Sequence, residues 1–95
     1  MLIRIVRMTF KEDSVDHFLK IFNEKQDQIK SFNGCIDLEL LRDIDHSNVF
    51  ITKSVWGNVT FLQAYRNSEY FQTTWNEVKL LFSEKPIAFS YEKYQ

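Results

Sequence analysis

The side chains here that could do chemistry unaided are few, and their spacing narrows the choice. His17, His46 and the lone Cys35 stand far apart and show no metal-ligand spacing. Neither a glycine-rich phosphate loop nor a nucleophile elbow is present. What remains is aromatic: nine Phe, four Tyr and two Trp in 95 residues. That is more large rings than so small a core needs, so some belong in a pocket or at a subunit interface. Tyr65, Phe71 and Trp75 are the candidates for contact with a small-molecule substrate, Tyr65 with a hydroxyl and Trp75 with an indole N–H. Their helical spacing fits plain core packing as well. Arg42, next to Asp43, is a fourth candidate: it either enters a cavity mouth or forms a solvated ion pair. Arg66, beside Asn67-Ser68, reads as exposed, whereas an inward Arg66 would point to an anionic substrate. Trp56 at a strand end reads as packing, Cys35 as a small buried hydrophobe, and His46 as a solvated loop residue. His17, followed by Phe18-Leu19, flanks the core edge.

Residues 2–10 are apolar-rich and unbroken, which predicts a strand with Leu2, Val6, Met8 and Phe10 on one face and Ile3 and Ile5 on the other. Arg4 is the exception on the first face. Ser14 or Asp13 is the expected cap of a helix whose apolar side holds Val15, Phe18, Leu19, Phe22, Ile29 and Phe32. Asn33-Gly34 ends it. Strands over 35–42 and 48–56 follow, joined by the short polar connector 43–47 and therefore antiparallel neighbours. Ile36, Leu38 and Leu40 share one face of the earlier strand. Residues 58–82 are helical, capped by Asn58, with a break or kink at Asn67-Ser68. Leu62 and Tyr65 mark the first piece; Phe71, Trp75, Val78 and Phe82 mark the second. Pro86 opens a last strand with Ile87, Phe89 and Tyr91 in alternation.

The order β-α-β-β-α-β predicts an α+β, ferredoxin-like fold: a four-stranded antiparallel sheet with helices on one face. The chain has length for one domain, 1–95, and lacks repeats or linkers. The uncovered sheet face would leave an apolar patch, so a homodimer packed sheet to sheet is expected. Twelve basic and thirteen acidic side chains give a net charge of −1 with no basic stripe, which argues against a nucleic-acid partner. No apolar run approaches the ~20 residues that span a bilayer, and the start lacks the form of a signal peptide. With one cysteine, a reducing, cytoplasmic setting is the expectation.

The stretches Ser31-Phe32-Asn33-Gly34-Cys35, Leu38-Glu39-Leu40-Leu41-Arg42-Asp43, Ser54-Val55-Trp56, Tyr65-Arg66-Asn67-Ser68-Glu69-Tyr70-Phe71 with Trp75, and 82–90 together resemble the antibiotic-biosynthesis-monooxygenase-like family. The resemblance covers nearly the whole chain. It implies a dimeric α+β barrel with a cavity between sheet and helices in each subunit. It also implies membership beside cofactor-free oxygenases of aromatic polyketides, quinol-forming enzymes and haem-degrading monooxygenases. The haem-degrading branch carries an Asn, a Trp and a ligand His where this chain has Val6, Tyr65 and Trp75, so haem is not expected. The cofactor-free oxygenases use a pocket Trp and Asn where this chain has Tyr65 and Phe61. The resemblance leaves Tyr65, Trp75 and an inward Arg as donors that would stabilise a phenolic anion in a dry pocket. The function it implies is a cofactor-independent monooxygenase, with no cofactor or metal, acting on a small aromatic or quinol-like substrate. The alternative is a non-catalytic dimeric module of the same fold that binds a small ligand or is purely structural.

Overall fold

A computed structural model describes all residues, 1–95. β1 (Leu2–Thr9) leads through a 3-10 turn (Glu12–Ser14) into α1 (Val15–Lys30). β2 (Cys35–Arg42) and β3 (Val49–Trp56) form a hairpin, followed by α2 (Val59–Arg66), α3 (Glu69–Val78), a 3-10 turn (Lys79–Leu81) and β4 (Ile87–Glu92). The strands lie in the order β2-β3-β1-β4, every pair antiparallel. This is the α+β ferredoxin-like arrangement that the element order implies.

Register sorts the side chains between two faces. Val6 pairs with Thr52 and Ala88, and Met8 with Phe50, on the face that meets the helices. Met8, Phe10, Phe18, Ile21, Phe50, Val78 and Leu81 form the core there. Phe10 is fully buried, and its ring lies 4.1 Å from that of Phe18 and 5.3 Å from that of Phe82. Burying a ring of this size contributes about 1.5–3 kcal/mol, so a few such residues hold α1 and the end of α3 on the sheet. The chain after α3 is stitched to the end of β1 by a Phe10–Phe82 bridge and by the Ser83 N–H donating to the Thr9 carbonyl at 2.9 Å.

Three local features depart from the sequence expectation. Ser14 does not cap α1 with its side chain, because the 3-10 turn already gives it helical dihedrals and its hydroxyl donates to Asp13 instead. A bulge at the start of β2 sets Cys35 and Ile36 against Trp56 alone. Ile36 therefore leaves the face of Leu38 and Leu40 and is exposed. Asp43 pairs with Arg7 (3.8 Å) and His46 (3.3 Å) rather than with Arg42.

Candidate functional site

The helical region after β3 is two helices, and their junction shapes a cavity. Asn58 caps α2 by accepting from the Phe61 N–H (3.1 Å), and Ser68 caps α3 by accepting from the Phe71 N–H (3.1 Å). The Phe61 ring lies over Gly34 and Gly57, whose backbones meet through a 2.8 Å hydrogen bond from the Gly57 N–H to the Gly34 carbonyl. That contact seats the start of α2 at one end of the sheet. α3 then returns over the sheet, and a cavity of about 410 Å³ remains between the helices and β1, β2 and β3. Of its 20 lining residues 13 are hydrophobic, which suits a small, largely apolar molecule.

Tyr65, Phe71 and Trp75 all line this cavity. Their rings form a contiguous wall. Tyr65 stacks on Trp56 with centroids 5.1 Å apart and meets Phe71 edge-on at 5.1 Å, and Phe71 lies nearly parallel to Trp75 at 5.9 Å. Trp56 is fully buried and its indole N–H donates to the Ser54 hydroxyl at 2.9 Å, so its orientation is fixed. It holds Tyr65 from behind.

Arg42 is not part of the lining. It shares the inner face with Leu38, which does line the cavity, but lies four residues farther along β2, or about 13 Å at strand rise. Its guanidinium sits over the Phe50 ring at 5.3 Å, near the hairpin end.

Most of the polar lining comes from residues other than those the sequence pattern singles out. Arg4 occupies the inner face of β1 and donates to the Ser90 hydroxyl at 3.0 Å. Arg66, Gln72 and Thr74 enter from the helices, and Thr52 and Ser54 from β3. The signal for Arg4 was its position: a charged side chain in the series Leu2, Val6, Met8, Phe10, where the pattern calls for an apolar residue.

Burial pushes the Tyr65 hydroxyl far above the usual phenol range, with smaller contributions from Tyr70 and Cys35. At neutral pH it is therefore a fixed hydrogen-bond donor. The Thr74 hydroxyl is buried without a protein partner. Burial, and then the like charge of Arg66, lowers the Arg4 pKa from its ordinary value, although a guanidinium remains charged at neutral pH. No Asp, Glu or His lines the cavity, so it offers donors and positive charge without a general base. His46 lies in the hairpin loop against Asp43, and His17 is exposed on α1. Val6, Tyr65 and Trp75 all open on the cavity, and none carries an imidazole.

The fold and cavity define an α+β domain with a ring-lined pocket between sheet and helices. The family model described as antibiotic biosynthesis monooxygenase matches residues 1–76, and the chain belongs to that family. No curated protein matches it. Among solved structures, an antibiotic biosynthesis monooxygenase superposes with a TM-score of 0.93 at 16% identity, covering 100% of both chains. A protein of the same description from Nitrosomonas europaea gives 0.91 at 17% identity, again over 100% of both. A cofactor-independent oxygenase from Streptomyces nogalater gives 0.87 at 16% identity, over 99% of this chain and 93% of its own. At such identities the likeness speaks for the fold.

Proposed function

We propose that the protein is a cofactor-independent monooxygenase acting on a small aromatic or quinol-like substrate held between the sheet and the helices. The observation that carries this reading is the placement of Tyr65, whose hydroxyl is kept protonated by burial and has no hydrogen-bond partner in the protein, in the wall of a largely apolar cavity that also receives Arg4. A phenol or anthrone reacts with molecular oxygen through its anion, so the protein's task is to favour that anion in a dry site. The Tyr65 hydroxyl donates to the substrate oxyanion, and Phe71 and Trp75 hold the ring system flat. Oxidation of an anthrone methylene then balances as follows: one atom of oxygen becomes the new carbonyl, and the other leaves as water with the two hydrogens. Because the cavity holds no base, the rate should rise with pH through the substrate's own ionisation. Family membership and the likeness to the Streptomyces nogalater oxygenase support the reading.

The functional unit is proposed to be a homodimer. The face of the sheet opposite the helices pairs Ile3 with Val55 and Tyr91, and Ile5 with Phe89, and Phe89 and Tyr91 are about half exposed. A second copy packed on this face would cover it. No helix of the chain is long and apolar enough to cross a membrane. A reducing cytoplasmic setting is the one in which this unit is expected to work.

Oxygen consumption with a panel of anthrones and quinols tests the proposal. Turnover above the uncatalysed rate is expected for at least one of them. Tight binding with no oxygen uptake across the panel would instead favour the non-catalytic ligand-binding module.

A further inference from the structure

Two arginines open on the cavity, and neither has a carboxylate partner. The ion pairs of the protein are Arg7–Asp43 and His46–Asp43. Arg4 has a single side-chain hydrogen bond, to the neutral Ser90 hydroxyl, and the Arg66 guanidinium has none. Two like charges at one cavity repel each other, and Arg4 gives up part of its hydration besides. An apolar residue on that face of β1 would avoid both costs, and an anion in the cavity would offset them. Rings and aliphatic side chains make up most of the remaining wall, and Thr74 adds a buried hydroxyl without a partner.

We propose that the cavity selects an aromatic carboxylate: a flat ring body against Tyr65, Phe71 and Trp75, with its carboxylate on Arg4 and Arg66. Planar guanidinium groups match a carboxylate with two parallel hydrogen bonds. A singly charged group suits this mostly apolar lining better than a phosphate dianion, whose desolvation costs more. The inference rests on the cavity being the substrate site and specifies the class of substrate it takes. The carboxylate is a handle for orientation, separate from the ring position that reacts.

The test compares naphthalene-2-carboxylate with its neutral counterpart 2-naphthylmethanol, titrated into the full-length protein and followed by backbone amide shifts at Tyr65, Phe71 and Trp75. The carboxylate is expected to bind about tenfold more tightly at low ionic strength, as a charge-assisted pair provides. Added salt should reduce only that advantage. Arg66→Gln lies on an exposed helix end and should fold normally. It and Arg4→Gln should each remove most of the preference of the carboxylate over the neutral probe. Equal binding of the two probes, or a preference that survives both substitutions, would overturn this inference and leave the monooxygenase reading intact. Absence of any shift at the three rings with either probe would overturn both.

Discussion

Gly34 has φ +83, and a Cβ there would overlap the Phe61 ring. Gly57, against the same ring, would place its Cβ at a tight 3.2 Å, without a positive φ. Gly34→Ala should therefore cost about 3 kcal/mol, combining left-handed strain with overpacking, and Gly57→Ala distinctly less. Urea unfolding of the two variants measures the difference; equal losses would show that Phe61 moves aside freely. The sequence marks Gly34 as a helix stop, but its contact with Phe61 joins residues far apart in the chain and is set by tertiary packing alone. The same division holds at the cavity. Tyr65, Phe71 and Trp75 were legible as an unusual run of rings, whereas Arg42 was misplaced because strand alternation gives the face of a residue and not its position along the strand. Arg4 was visible as a break in that alternation, yet nothing local tells an arginine that lines a cavity from one that folds out to solvent.

The break between α2 and α3 does more than shorten a helix. At about 100° per residue, a continuous helix would turn Phe71 roughly 120° away from Tyr65. The junction at Asn67-Ser68 re-aims the second helix so that both rings, and Trp75, face the same space. Ser68 fixes the junction with two bonds, its hydroxyl donating to the Tyr65 carbonyl at 2.6 Å and accepting from the Phe71 N–H. Ser68→Ala should lower stability by about 1 kcal/mol in denaturant unfolding and also weaken ligand binding, since the wall of rings loses its register. A stability loss with unchanged binding would mean that packing alone sets the junction. Both caps here were readable in the sequence because Asn58 and Ser68 stand directly before apolar-periodic runs. The missing cap at Ser14 and the bulge at Ile36 were not, because a 3-10 lead-in and an extra strand residue leave the hydrophobic pattern almost unchanged.

Across the whole molecule, the two faces of one sheet have different tasks. The inner face builds the core at one end and the cavity at the other; the outer face presents apolar side chains in register across β3, β1 and β4. The alternation of Ile3 and Ile5 with Val6 and Met8 made this duality legible, and it motivates the homodimer. Phe89→Glu should shift the protein from dimer to monomer in analytical ultracentrifugation, since it places charge at a half-exposed site beside Ile5. A wild-type monomer at micromolar concentration would contradict the assembly. On the inner face, the decisive measurement is oxygen uptake by the wild type and by Tyr65→Phe on the best anthrone or quinol of a panel. Loss of one donor to a developing oxyanion costs about a hundredfold or more in kcat. A fall of that size is expected in a variant whose circular dichroism is unchanged; full turnover by Tyr65→Phe would rule out Tyr65 as the oxyanion donor.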